Sequence, residues 1–242
     1  MCSHTLPRGF ALACLLAAAF DASASGLQIA PTSLTIATGG PAQGLWLTNT
    51  GDRELRAQVR AYHWSQSTGK DQLDPTQAIV ASPPMLSIPP GGRQLVRVIR
   101  TGQDAQASGE QAFRLLVDEL PLGGEDKQSG VQYVLRYSVP VFVGTSGTPT
   151  LQWSGAFGND GLALDVHNGG SAHAQISGLG LSSAGGAPVE LNAGLLGYVL
   201  PGATMHWTLK VPAGTNTANA SIKALINGEP TDQTLSPGAP SR

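Results

Sequence analysis

The sequence predicts an all-β protein built as two β-sandwiches in tandem. Three observations lead there. Glycine and proline are abundant, 31 and 17 of 242 residues, and they punctuate short apolar runs. Several of those runs alternate with a period of two, the strand signature. No window keeps apolar residues at i, i+3, i+4 and i+7 without a Gly or Pro interrupting it, so a helical reading fails.

The first 25 residues read as a leader, set apart from the fold. Arg8 precedes an unbroken apolar run from Phe10 to Phe20, and the small residues ASASG follow. That is the three-part pattern of an export signal, with cleavage after Ala24 or Ser25, and the run is too short to span a bilayer. A lipid-anchor reading of Cys14 fits the pattern less well. Both cysteines, Cys2 and Cys14, lie in this leader. The exported chain therefore relies on its cores, without a disulfide. No later segment is long and apolar enough for a membrane helix, so direct membrane insertion is not expected.

The rest of the chain is long for one sandwich and comfortable for two of about 100 residues each. Leu27–Ala30 and Ser33–Ala37 are short strands broken by Pro31. Gly44–Thr48 alternates, and Asn49-Thr50-Gly51-Asp52 turns the chain. Leu55–Trp64 is a long strand with Leu55, Ala57, Val59, Ala61 and His63 on one face. Gly69-Lys70-Asp71 is a loop, and SPPMLSIPPGG, residues 82–92, belongs at a sheet edge or turn because proline cannot donate to a ladder. Gln94–Ile99 and Ala112–Glu119 are strands. The stretch 131–143 follows a charged, glycine-rich loop and places Val131, Tyr133, Leu135, Tyr137 and Val139 on one face, with Arg136 on the other.

GTSGTPT, residues 144–150, reads as an interdomain linker. The expected organisation is a signal segment 1–25, a first domain 26–144, a second domain 150–230 and a flexible tail 231–242. The second half echoes the first. LTNTGDRELRAQV (47–59) is similar to DVHNGGSAHAQIS (165–177), and SIPPGGRQLVRV (87–98) to YVLPGATMHWTLKV (198–211). Tandem sandwiches of the immunoglobulin-like kind produce such echoes.

Positive support for catalysis is missing. The net charge is −2, and losing Arg8 and Asp21 together leaves it there, so no nucleic-acid partner is expected. His4, His63, His167, His173 and His206 form no H-x-x-x-H pair, and no mature cysteine is left for zinc; no metal or cofactor is expected. Asp165, His167 and His173 are close in sequence, but surface histidines flanking a turn are the simpler reading. Gly144-Thr145-Ser146-Gly147 approaches a nucleophile elbow but ends in Thr148. Asp118 and Glu119 are adjacent, so they point to opposite faces of a strand.

Five stretches in order carry a resemblance: GLQIAPTSLTI, LTNTGDRELRAQVRAYHWSQ, SPPMLSIPPGGRQLVRVIR, FRLLVDELP and VLRYSVPVFV. GLLGYVLPGATMHWTL in the second half fits as well. Together they resemble the periplasmic chaperones of chaperone–usher pilus systems, most of all the archaic, sigma-type fimbrial branch. The resemblance implies a boomerang of two immunoglobulin-like domains without catalytic activity. Its partners would be pilus subunits, incomplete sandwiches lacking a strand, and an outer-membrane usher. The chaperone would lend the subunit the last strand of its first domain, capping a sticky edge. Val131, Tyr133 and Leu135 would then be the donor residues; otherwise they pack in their own sandwich.

The resemblance also implies basic residues that anchor the subunit's C-terminal carboxylate. Arg136 lies one residue from the family's basic position on the donor strand. Ser33 stands where the first-strand arginine is expected, so Arg97 or Arg100, on what would be the neighbouring strand, could substitute. The other reading of those two is a solvated edge or an internal salt bridge. A guanidinium suits the task because its fork matches a carboxylate. Glu110 falls at the family's interdomain ion cluster, but Val139 replaces the matching arginine. The loop 121–130 is short, with Leu122 its only large apolar residue. Two other classes compete. A structural pilus subunit or adhesin would show one sandwich with an alternating N-terminal extension. A carbohydrate-binding or enzymatic sandwich could use Trp46, Trp64, Trp153 and Trp207 as a sugar platform.

Overall fold

The computed structural model describes residues 26–37, 39–40, 42–102, 109–121, 134–144, 147–158, 161–182, 188–217 and 220–237. The expected signal segment, Leu122, Val131 and Tyr133 lie outside the described residues. Among the described residues every regular element is a strand.

The first sandwich contains β1 (Leu27–Ala30), β2 (Leu34–Ala37), β3 (Ala42–Asn49), β4 (Leu55–Ser67) and β5 (Lys70–Pro75). It continues with β6 (Ile79–Ser82), β7 (Met85–Ile88), β8 (Arg93–Arg100), β9 (Gln111–Leu120) and β10 (Arg136–Gly144). One sheet runs β1-β3-β8-β6; the other runs β2-β10-β9-β4-β5, with β7 also on β4. The core between them is the set of inward residues that period two selects. Leu55, Ala57 and Val59 on β4, Phe113, Leu115 and Val117 on β9, and Val139, Val141 and Val143 on β10 are all buried. Each large side chain buried there contributes roughly 1.5–3 kcal/mol.

The second sandwich contains β11 (Leu151–Gly158), β12 (Gly161–Asn168), β13 (Ala174–Ser182) and β14 (Val189–Val199). β15 (Thr204–Leu209), β16 (Ser221–Ile226), β17 (Glu229–Thr234) and β18 (Ser236–Pro237) complete it. Its sheets run β15-β12-β11-β18 and β14-β13-β16-β17. On β13 the buried set is Ala174 and Ile176, then Leu179 and Leu181. The one-residue reset falls at a bulge around Gly178, whose φ of 57° is one that glycine adopts without penalty. Of the flexible tail expected over 231–242, the first part is corrected here: Thr231–Thr234 finish β17 against β16, and Ser236 and Pro237 pair with β11, while residues 238–242 lie outside the described residues.

The two sandwiches close their corners with the same three side-chain bonds, to which Asn168 adds a fourth from the Thr150 amide (3.1 Å). Asn49 is buried and donates to the carbonyls of Arg53 (2.6 Å) and Ile88 (2.9 Å) while accepting from the Gly51 amide (3.0 Å). Asn168 is buried and donates to Ala172 (2.8 Å) and Val199 (2.9 Å) while accepting from Gly170 (3.0 Å). The backbone bonds match as well: Asn49 N–H to Gly92 and Asn168 N–H to Ala203. The echoing Asn-x-Gly and Pro-Gly stretches are thus one structural unit used twice, and an asparagine suits it because the same amide donates to two backbone carbonyls and accepts from at least one backbone N–H.

The sandwiches meet through residues that break the first domain's inward pattern. Trp64, Ala112 and Phe142 point away from the first core and are buried in the cluster of the second. Tyr198 lies edge-on to Trp64, with centroids 5.5 Å apart. Gln66 donates to the Tyr198 carbonyl (2.9 Å) and accepts from the Leu200 amide (2.8 Å).

Candidate functional site

The last strand of the first sandwich is paired unevenly. On one side β9 pairs with β10 from Arg136 to Val143. On the other side β2 runs parallel to it, but only from Val141 to Gly144. The cause lies in the first strand: β1 pairs with β3 in the opposite sheet, and the chain crosses at Pro31–Ser33 before β2 begins. Among the described residues, Val134–Pro140 therefore has no strand on its outer edge. An unpaired row of N–H and C=O groups is a template for another strand.

Alternation sorts the side chains along that edge. Leu135 and Tyr137 face inward and are half-buried against the first core. The Tyr137 hydroxyl donates to the Leu27 carbonyl (2.7 Å), tying the edge to β1. Val134 faces solvent at 53% exposure. Leu135 is held by the Glu119 amide, which donates to its carbonyl (2.9 Å).

Arg136 and Ser138 face outward. The Arg136 Nε donates to Asp118, directly opposite on β9, and the Arg60 guanidinium on β4 donates to the other oxygen of Asp118 at 2.6 Å. Burial works to raise the Asp118 carboxyl, but the two guanidinium hydrogen bonds and charges outweigh it and hold it below its usual range. The same bond pushes Arg60 further up.

The remaining expected residues fall elsewhere. Arg97 and Arg100 are on β8, which belongs to the opposite sheet, so the expectation that their strand neighbours β10 is corrected. Arg97 stands across from Gly44 and Ser82, and Arg100 across from Ile79. Ser33 is exposed at the crossing before β2.

Glu110 does reach the second sandwich. Its carboxylate accepts from the His173 amide (2.8 Å) and meets His173 Nδ1 at 2.9 Å. The His173 ring stacks on Phe142, with centroids 3.4 Å apart and planes 2° off parallel. The reading of His173 as a surface turn residue is corrected by this contact. Nearby, Arg114 lies over the Trp64 ring at 3.7 Å, and burial lowers its pKa. A cleft of about 310 Å³ opens beside this joint, lined by His63, Gln66, Glu110, Gln111, Leu200 and Pro201 among others. Period-two reasoning missed Arg114, Trp64 and Phe142 because nothing in β4, β9 or β10 says that a second domain covers their outward ends.

Asp165 pairs with His206 (2.6 Å) and His167 with Thr204 (3.0 Å), so the imagined trio of Asp165, His167 and His173 is split. Among the described residues no three metal-ligating side chains come together. Trp64 and Trp153 are buried, while Trp46 lies on another face under Arg93 at 3.7 Å; they form no common platform.

Residues 26–148 match the family of pili and flagellar-assembly chaperones, through its PapD N-terminal domain. No curated protein matches the chain. Solved structures do. The CsuC–CsuE chaperone–tip adhesion subunit pre-assembly complex, from the archaic chaperone-usher Csu pili of Acinetobacter baumannii, is 26% identical. The match covers 88% of this chain and 99% of that one, with a TM-score of 0.66. The Salmonella enterica SafA pilin–SafB chaperone complex is 15% identical, covering 88% and 97%, with a TM-score of 0.63. The Pseudomonas aeruginosa CupB2 chaperone is likewise 15% identical, covering 86% and 100%, with a TM-score of 0.59. Two immunoglobulin-like sandwiches, a half-open last strand in the first of them, and a family match over that whole sandwich make this chain a member of the pilus-assembly chaperone family.

Proposed function

We propose that this protein is a periplasmic chaperone that captures pilus subunits by donor-strand complementation and passes them to an outer-membrane usher. The observation that carries the reading is the unpaired outer edge of β10 between Val134 and Pro140, where the first strand crosses to the other sheet. A subunit lacking one strand can add itself along this edge. Backbone hydrogen bonds then supply affinity, and the inward row supplies side chains to a core shared by both proteins. Val131, Tyr133 and Leu135 are the donor residues in this reading, and the half-buried state of Leu135 leaves it part of its surface to give. Arg136 is the anchor for the subunit's terminal carboxylate in this reading, because it stands on the open strand itself, whereas Arg97 and Arg100 stand on β8 in the other sheet. Export rests on the leader sequence of residues 1–25.

The test is an affinity pull-down from the native periplasm, comparing wild type with Tyr133→Asp/Leu135→Asp. A small β-rich secreted protein that copurifies one-to-one with wild type alone is the expected result. Equal capture by the double variant would remove the donor assignment, and absence of any partner would remove the chaperone reading.

A further inference from the structure

On the reading that subunits are captured along β10, we infer that Asp118 is an internal stand-in for the subunit's carboxylate, and that Arg60 makes it exchangeable.

Three charged groups lie in one patch across three adjacent strands: Arg60 on β4, Asp118 on β9 and Arg136 on β10. Two guanidiniums face one carboxylate, so the patch carries one net positive charge. The two arginines are not equivalent. The Arg136 side chain is 63% exposed and holds Asp118 through Nε, which leaves its terminal nitrogens, the end-on fork that suits a carboxylate, outside that bond. The Arg60 side chain is 40% exposed, its Nε is buried, and it grips the second oxygen of Asp118.

The asymmetry decides which bond can change. Asp118 is 8% exposed, and a buried carboxylate stripped of all its partners is strongly disfavoured. Were Arg136 its only partner, Asp118 would hold it fast. With Arg60 in place, Asp118 stays paired when Arg136 turns to an incoming carboxylate. Asp118 thus keeps Arg136 folded onto β9 while the edge is empty, and competes with the ligand for it.

Competition predicts opposite signs for two substitutions that would share a sign if the patch were only structural. The probes are a ten-residue alternating Val/Thr peptide with a free C-terminal carboxylate and its C-terminal amide, titrated into the full exported chain. The preference for acid over amide should rise about tenfold in Asp118→Asn and fall about tenfold in Arg60→Gln, the scale of one charge-assisted hydrogen bond. Arg56→Gln, which alters net charge equally on the same strand but pairs with Glu54, should leave the preference unchanged. Independently of any peptide, phenylglyoxal labelling of Arg136, read by mass spectrometry, should quicken in Asp118→Asn and slow in Arg60→Gln. Both variants moving the same way, or neither moving, overturns the inference. If wild type still captures a periplasmic subunit in that case, the inference falls alone. If wild type captures none, the chaperone reading falls and takes the inference with it.

Discussion

Glu110 and His173 join the two sandwiches: one carboxylate accepts the backbone amide of His173 at 2.8 Å and its ring nitrogen at 2.9 Å. The ring is pinned from the other side by Phe142. Glu110→Ala would leave the His173 amide without its acceptor beside the joint. The expected loss is about 1–3 kcal/mol, measured by urea denaturation. Glu110→Gln keeps an acceptor oxygen and should recover part of it. An unchanged midpoint in Glu110→Ala would mean the contact does not hold the domains.

The paired asparagines give a second prediction. Asn49→Ala orphans the Ile88 and Arg53 carbonyls, and Asn168→Ala orphans those of Val199 and Ala172. Each should cost about 1–3 kcal/mol. The two sites sit in separate cores, so the double variant should match the sum within about 0.5 kcal/mol, as denaturant curves would show.

Asp118 gives the pH dependence. Its folded pKa lies below the usual carboxylate value, so its contribution is present above that value and disappears as pH falls through the folded one. Wild type should therefore lose stability between neutral pH and about pH 3. Asp118→Asn, which cannot titrate, should lose less over the same interval. The comparison is of urea midpoints at the two pH values, and parallel losses would exclude the paired carboxylate as a source of acid sensitivity.

Tyr137→Phe removes the hydroxyl that reaches the Leu27 carbonyl and leaves the ring in place. A stability cost of about 0.5–1.5 kcal/mol is expected. Hydrogen exchange should quicken first in Leu27–Ala30, the strand this bond ties to the open edge.

Much of this was legible in the sequence because it depends on local rules. Leu55, Ala57 and Val59 declare their face by period two, and Asn49 and Asn168 declare their corners by the Asn-x-Gly pattern. Gly69-Lys70-Asp71 reads as a loop, yet Lys70 and Asp71 open β5, whose six residues show no period and are all exposed; backbone pairing to β4 alone makes it a strand. Ile79–Ser82 and Met85–Ile88 were hidden by the surrounding prolines. The site was legible as a strand with an arginine in it, but its partners were not. Asp118 and Arg60 sit 18 and 76 positions from Arg136 in the chain, and only strand order brings them together. The same limit misplaces Arg97 and Arg100, whose sheet no local pattern reveals, and hides the second half of β17, Thr231–Thr234, whose polar residues are ordered by pairing.

Strand β10 serves two places at once. Its first half is the vacant edge beside Arg136; its far end delivers Phe142 into the joint between the sandwiches, about 20 Å further along at roughly 3.3 Å per residue. Between them Val139 and Val141 are locked in the first core. The strand is therefore a push-rod in a close-fitting sleeve, and close-packed interiors transmit displacement in place of absorbing it. A displacement of the vacant half along the strand axis therefore has a packed route to Phe142 and to the ring of His173 stacked on it.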